Sequence, residues 1–155
     1  MTLRANQGNE ETAPLKSYDV TGAPGQGEAA VPRTVFMVED HAMMRRLLRQ
    51  FLDGEPDLRV IDDVDSAEAA LIALSGLTPD LLTVDLSLPG MNGLELVRRL
   101  AEQRPELRCL VVTGHADPLY RAEALKAGAA GYVTKDDPDE VLAAVREVLK
   151  KNTGL

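Results

Sequence analysis

From Thr34 onward, short continuous apolar runs alternate with longer stretches in which apolar residues recur every three or four positions. A continuous apolar run of about four to eight residues is typical of a strand buried on both faces, and the three-to-four spacing indicates an amphipathic helix. Strands and helices that alternate strictly predict a mostly parallel sheet, covered by helices on both faces and joined by right-handed crossovers. We therefore predict a doubly wound α/β domain.

The pattern predicts five strands and five helices. The strands are predicted at residues 34–38, 58–64, 81–84, 109–112 and 131–134. The first helix is predicted at residues 41–52, and the second from an N-cap at Asp65 or Ser66 to just before Gly76. The third is predicted from the end of a turn at 88–93 to just before Pro105, the fourth at 118–126, and the fifth from 136–138 to about 150. The first helix is predicted to bury Met44, Leu47, Leu48 and Phe51.

The turn after the third strand has a distinctive composition. Residues 88–93 read Leu-Pro-Gly-Met-Asn-Gly, with Pro89 and Gly90 in the order that a type II turn uses. Asn92 and Gly93 are residue types that tolerate a positive φ. The Asn-Gly pair is therefore able to adopt left-handed backbone within the turn.

Composition excludes several classes of protein. The chain has 155 residues, 45% of them hydrophobic, and a formal net charge of −8, which disfavours non-specific binding to nucleic acid or to an anionic membrane. Cys109 is the single cysteine, so no intramolecular disulfide can form. The apolar runs are much shorter than the roughly 20 residues that span a bilayer, and the N-terminus does not resemble a signal peptide. We expect a cytoplasmic protein that does not bind membranes.

The chain divides into three predicted segments. Residues 1–33 are rich in Gly, Pro and small polar residues and show no periodicity, which predicts a disordered N-terminal extension. Residues 34–150 form the predicted domain, and residues 151–155 form a short tail. Because little sequence follows the last strand, we expect no DNA-binding or enzymatic output domain in this chain, and no DNA binding by the chain itself.

Polar residues suited to chemistry stand at the ends of the predicted strands. Glu39 and Asp40 follow the first strand, Asp85 the third and Lys135 the fifth, and Thr113 ends the fourth. The carboxyl ends of parallel strands meet at one edge of the sheet, where ligands bind. Carboxylates crowded there repel one another unless a cation neutralises them, and hard oxygen ligands suit Mg²⁺. We predict a Mg²⁺ site, an aspartate nucleophile, and a threonine and a lysine that bind a phosphoryl group.

The residues at the strand ends resemble those of one family. The run from Asp85 to Gly93, with Glu39-Asp40, Thr113-Gly114 and Tyr132-Val133-Thr134-Lys135, is similar to the motifs of the receiver domain of bacterial two-component response regulators. The resemblance covers about residues 34–150 and is greatest to receivers that precede a helix-turn-helix output domain. It implies a flavodoxin-like, five-stranded parallel sheet with strand order 2-1-3-4-5.

The resemblance also implies a role for each of these residues. Asp85 would accept a phosphoryl group from a phosphohistidine of a sensor histidine kinase or a histidine phosphotransfer protein. Thr113 and Lys135 would hold the phosphoryl oxygens. Thr113 and Tyr132 would form a switch that changes the surface of the fourth helix, fifth strand and fifth helix, for an unknown downstream protein or a homodimer. Mg²⁺ would be bound by Glu39, Asp40, Asp85 and the backbone carbonyl of Ser87.

Several of the residues also have simpler interpretations. Asp40 could serve only as the N-cap of the first helix. Tyr132 could be a packing residue on an edge strand. His115 is expected to be a solvated loop histidine. A basic face on the first helix, expected to be solvated, is formed by Arg45, Arg46 and Arg49.

Two alternative functions stay open at this point. A pseudo-receiver would keep the fold as a protein-binding module without cycling phosphate, although Asp85 and the polar residues at the other strand ends are all present. A phosphatase of the haloacid dehalogenase type would use a second aspartate, two positions after the nucleophile, as general acid, and this chain has Ser87 there. We favour a phosphorylated switch that has no separate substrate turnover.

Overall fold

The structure, a computed structural model, describes residues 31–151. Residues 1–30 of the predicted extension and 152–155 of the predicted tail lie outside the described part. The strands are β1 (Arg33–Val38), β2 (Leu58–Val64), β3 (Leu81–Val84), β4 (Arg108–Thr113) and β5 (Gly131–Thr134). The helices are α1 (Ala42–Asp53), α2 (Ala67–Leu74), α3 (Gly93–Gln103), α4 (Pro118–Ala127) and α5 (Pro138–Lys151). In residues 31–151 no helix combines the length and the apolar character needed to cross a membrane.

The five strands form one parallel sheet in the order β2-β1-β3-β4-β5. This confirms the predicted doubly wound fold and the strand order that the family resemblance implied. Val38 pairs with Val84 across β1 and β3, and Val84 pairs with Val111 across β3 and β4. The register therefore brings the carboxyl ends of the three central strands to the same edge of the sheet.

Each central strand contributes buried side chains to both faces of the sheet. In β1, Val35 and Met37 pack with α1 and α5, whereas Phe36 and Val38 pack with α2, α3 and α4. Successive side chains of a strand point to opposite faces, so a strand buried on both faces is apolar at nearly every position. This requirement explains why continuous apolar runs located the strands.

The exposed position of Leu47 contradicts its predicted burial. Leu48 and Leu52 are buried and Met44 and Phe51 are partly buried, but Leu47 is 53% exposed. At 3.6 residues per turn, the stripe that faces the sheet runs through positions 44, 48, 51 and 52, and Leu47 lies beside it on the solvent side.

The start of α1 differs from the alternative in which Asp40 is only an N-cap. His41 occupies the cap position with an extended backbone, and its Nδ1 accepts a hydrogen bond of 3.2 Å from the backbone N–H of Met44. The Asp40 carboxylate is therefore not used by the helix. At α2, the cap is Ser66 rather than Asp65, because its Oγ accepts from the N–H of Ala69 at 3.1 Å.

The turn before α3 follows the prediction at Gly90, and Asn92 does not use the positive φ that its residue type tolerates. Gly90 has φ of 70°, as the third residue of a type II turn requires. Asn92 has φ of −80° and is the N-cap of α3, with its Oδ1 accepting from the N–H of Glu95 at 2.9 Å. Gly93 is needed for a different reason, since a Cβ there would lie 2.2 Å from the backbone oxygen of Asp85.

Replacing Gly93 with alanine is expected to lower the free energy of unfolding by about 1–3 kcal/mol, the range typical of overpacked sites. The added methyl group would collide with backbone rather than with a flexible side chain. Urea unfolding measures the change. Gly76→Ala is the matched control, because a Cβ at Gly76 meets no atom within 4 Å, and its effect should stay within about 1 kcal/mol. Equal effects of the two substitutions would contradict this account.

Candidate functional site

Two buried carboxylates lie side by side where β1 and β3 end. The pairing of Val38 with Val84 puts Glu39 next to Asp85, and the N–H of Asp85 donates to the backbone oxygen of Val38 at 3.1 Å. Glu39 is 2% exposed and Asp85 is 4% exposed. Burial of charged groups is unfavourable unless other groups compensate it. The fold itself therefore gives no reason for two buried carboxylates at this position.

Asp40 completes an acidic cluster with these two residues. One carboxylate oxygen from each of Glu39, Asp40 and Asp85 lies within 4.8 Å of the other two, and Asp40 is exposed to solvent. Oxygen atoms at this spacing, with one side open to water, fit the ligand preferences of Mg²⁺. Ser87, the fourth predicted ligand residue, lies in the β3–α3 loop, and its backbone N–H donates to Asp85 Oδ1 at 3.2 Å.

Lys135 compensates the two buried carboxylates. It directly follows β5, and its Nζ donates to Glu39 Oε1 at 2.8 Å and to Asp85 Oδ2 at 2.9 Å. Burial acts to lower the pKa of Lys135, but the hydrogen bonds to the two carboxylates outweigh it, and the pKa is raised. Burial likewise raises the pKa of Glu39, although hydrogen bonds from Lys135 and from the N–H of His41 oppose this effect.

Thr113 and Tyr132 lie on the side of the site formed by β4 and β5. Thr113 is fully buried at the end of β4, and its Oγ1 accepts a long hydrogen bond of 3.4 Å from the N–H of His115. Tyr132 is partly buried against the side chains packed with α2, α3 and α4, and its hydroxyl donates to the backbone oxygen of His115. Burial raises the pKa of this phenol. Tyr132 thus packs on the core and also contacts the loop after Thr113.

His115 lies in the β4–α4 loop, as interpreted, but its side chain also contacts neighbouring residues. The residue is partly buried, its Nε2 lies 2.7 Å from Ser87 Oγ, and its ring centroid is 4.7 Å from that of Tyr120. Ser87 and His115 each stand two positions after a strand-end residue, Asp85 or Thr113, and their strands are neighbours. That shared offset was the one signal in the sequence that could have paired them.

The basic face of α1 is only partly solvated. Arg45 Nη1 donates to the backbone oxygen of Glu39 at 2.9 Å, and its Nε lies 3.0 Å from Asp63 Oδ1. Arg49 also pairs with Asp63, whereas Arg46 is exposed as predicted. Arg45 therefore supports the backbone that carries Glu39 and Asp40, a contact that helical periodicity could not reveal.

Comparison with known proteins agrees with the resemblance seen in the motifs. Residues 35–146 match the response regulator receiver domain family. The chain is 39% identical over 115 residues to the DNA-binding transcriptional activator DevR/DosR of Mycobacterium tuberculosis, in an alignment that covers 74% of this chain and 53% of that protein. It is 35% identical over 119 residues to the nitrate/nitrite response regulator protein NarL of Escherichia coli, covering 75% of this chain and 54% of NarL.

The fold is similar to solved structures as well. A LuxR-family two-component response regulator from Aurantimonas superposes with a TM-score of 0.75 and 31% identity, over 78% of this chain and 87% of that one. The chain spans about half the length of the curated relatives that it matches.

Replacing Lys135 with methionine is expected to destabilise the metal-free protein by about 3 kcal/mol near pH 7, because buried carboxylates lose their compensating charge. The loss should be smaller near pH 5. Because the pKa of Glu39 is raised in the folded state, its carboxyl group stabilises the fold most at a pH below its ordinary pKa of 4.5. This stabilisation is lost as the pH rises through the raised pKa. Without Lys135 the pKa of Glu39 rises further. Protonation of this carboxylate therefore reduces the destabilisation of the variant at a higher pH than in the unmodified protein.

Urea unfolding in the presence of a chelator at both pH values measures this effect. Lys126→Met, at an exposed position of α4, is the matched control and should be nearly neutral at both. A loss at Lys135 that does not change with pH would contradict the electrostatic explanation.

Proposed function

Because the chain belongs to the response regulator receiver domain family, we propose that it is a phosphorylation-dependent signalling switch whose phosphoacceptor is Asp85. One observation carries the proposal. The buried Asp85 carboxylate directly follows β3, lies in an acidic cluster with Glu39 and Asp40, and contacts Lys135 at 2.9 Å. A buried carboxylate is unfavourable without such compensation, and compensated carboxylates of this kind are concentrated at functional sites.

The proposed reaction transfers a phosphoryl group from a phosphohistidine of a sensor kinase or a phosphotransfer protein. A carboxylate oxygen of Asp85 forms a bond to phosphorus while the phosphorus–nitrogen bond breaks, and the electron pair returns to the imidazole, which takes up a proton. The product is an acyl phosphate that water can hydrolyse. Asp85 is the one residue of the proposed site that forms a covalent bond. The other residues position the reacting groups and compensate their charge.

Lys135 and Thr113 are the proposed ligands of the transferred group. Lys135 contacts Glu39 and Asp85 at once, so its ammonium is already placed beside the carboxylate that gains the phosphoryl oxygens. Thr113 ends the neighbouring strand with a hydroxyl whose present contact, the N–H of His115, is long at 3.4 Å. The hydroxyl oxygen accepts in that contact, so its O–H can still donate a hydrogen bond to an anionic phosphoryl oxygen.

The acidic cluster fits Mg²⁺ as a cofactor. Lys135 supplies one positive charge against the three carboxylates of Glu39, Asp40 and Asp85, and a divalent cation would offset the remaining negative charge. These three residues and the backbone carbonyl of Ser87 are the proposed ligands. When bound, Mg²⁺ would supply charge neutralisation for the incoming phosphoryl group.

The proposed output passes through Thr113 and Tyr132 to the surface of α4, β5 and α5. The Tyr132 hydroxyl contacts the loop that follows Thr113, so a movement of that loop changes what surrounds the ring. The receiver would then alter a downstream protein or its own dimerisation. The net charge of −8 supports a protein partner rather than DNA for this domain itself. No described contact favours a pseudo-receiver, since Glu39, Asp85, Thr113 and Lys135 are all present and adjacent.

Incubation of the protein with acetyl phosphate and Mg²⁺ is expected to add one phosphoryl group, detected by intact mass. Asp85→Asn should abolish the addition while keeping the fold, because the amide is not a nucleophile. Asp65→Asn, at an exposed position outside the acidic cluster, should be labelled like the unmodified protein. Chelation of Mg²⁺ should suppress labelling.

Labelling that survives Asp85→Asn would remove Asp85 from its proposed role. No labelling of the unmodified protein, together with no binding of beryllofluoride, would favour the pseudo-receiver.

A further inference from the structure

The position of Asp40 in the acidic cluster depends on the backbone of the turn between β1 and α1. His41, rather than Asp40, caps α1, and among residues 31–151 no hydrogen bond or ion pair holds the Asp40 carboxylate. One of its oxygens nevertheless lies within 4.8 Å of oxygens of both Glu39 and Asp85. The contacts of the neighbouring backbone must therefore place this side chain.

Arg45 of α1 holds the peptide group that precedes Asp40. Its Nη1 donates to the backbone oxygen of Glu39 at 2.9 Å. A peptide group is planar and includes the Cα atom of the following residue, so a contact that fixes the direction of this carbonyl also fixes the plane in which the Asp40 Cα lies. Rotation of the peptide group would move the Asp40 carboxylate relative to the other two.

Arg45 is itself held by β2, which is an edge strand of the sheet. Its Nε lies 3.0 Å from Asp63 Oδ1, and the two side chains are 23% and 21% exposed, so water screens this ion pair less than a fully exposed one. The backbone oxygen of the next residue, Val64, accepts from the N–H of Glu39 at 3.0 Å. Two consecutive residues of β2 therefore hold Glu39, Val64 directly and Asp63 through Arg45.

We propose that Arg45, held by Asp63, is a positioning residue that places Asp40 for Mg²⁺. The inference rests on the proposed function and adds to its metal site two residues that would not touch the ion. A guanidinium group repels a nearby cation, so any contribution of Arg45 to Mg²⁺ affinity must come from geometry. Positioning and charge therefore predict opposite effects when Arg45 is removed.

The dissociation constant of Mg²⁺ tests the inference, with the NMR signals of backbone amides 39–41 and 85–87 followed during a titration of the metal-free protein. Arg45→Met removes the guanidinium group but keeps an unbranched side chain. We expect the dissociation constant to rise about tenfold, the lower end of the range for residues that orient metal ligands. Arg46→Met, the matched control, removes the same charge from the adjacent exposed position and should leave the dissociation constant unchanged or slightly lower.

Asp63 provides a second variant, which also carries the test if Arg45→Met does not fold. Asp63→Asn should raise the dissociation constant about two- to tenfold, the factor that one net hydrogen bond corresponds to. Asp62→Asn is its control, because it removes the same charge from the adjacent position of β2, and its effect should be smaller. The double variant of Arg45 and Asp63 should bind Mg²⁺ about as weakly as Arg45→Met alone, because Asp63 acts through Arg45.

The outcomes separate the inference from the proposed function. A dissociation constant that Arg45→Met leaves unchanged or lowers would overturn the inference, as would equal effects of Asp63→Asn and Asp62→Asn. A purely structural role, seen as a lower unfolding temperature with unchanged Mg²⁺ affinity of the folded protein, would overturn it too. Failure of the unmodified protein to bind Mg²⁺ would instead overturn the proposed metal site, and phosphorylation from acetyl phosphate tests Asp85 separately.

Discussion

The ion pairs of Lys135 with Glu39 and Asp85 are the interaction on which the site depends. Carboxylates 2% and 4% exposed are unfavourable in a sheet core without a nearby positive charge. The strand order supplies that charge, because the residue after β5 reaches past β4 to the ends of β1 and β3. The same placement leaves Asp40 at the solvent side, so the cluster stays open to an ion and a phosphodonor.

The elements could be predicted because strands buried on both faces are apolar at nearly every position. The strand order could not be derived in this way, since alternation alone does not say which strands are neighbours, and it came from the family resemblance. Details decided by single contacts were missed. His41 caps α1, where Asp40 had been a candidate, Leu47 lies outside the buried stripe, and Asn92 is the N-cap of α3.

Part of the candidate site could also be predicted from the sequence, and part could not. Asp85, Thr113 and Lys135 could be placed together because parallel strands end at one edge of the sheet, and the structure brings Lys135 onto Asp85 as that argument requires. Their chemical roles stay predictions. The hydrogen bond of Ser87 with His115 joins segments 28 residues apart, and the contact of Arg45 with the backbone oxygen of Glu39 depends on the conformation of the loop before α1. Periodicity and strand-end position do not encode such contacts.

The separation of the core into two faces has a consequence for recognition. Tyr132 packs on the face covered by α2, α3 and α4, whereas α1 and α5 cover the other face through a different set of side chains. A signal carried by Thr113 and Tyr132 would therefore reach α4 without disturbing the packing beneath α1. In the proposed switch, the surface at α4 would therefore differ between the two states more than the surface at α1. The packing of one small domain thus decides which of its faces can report the state of Asp85.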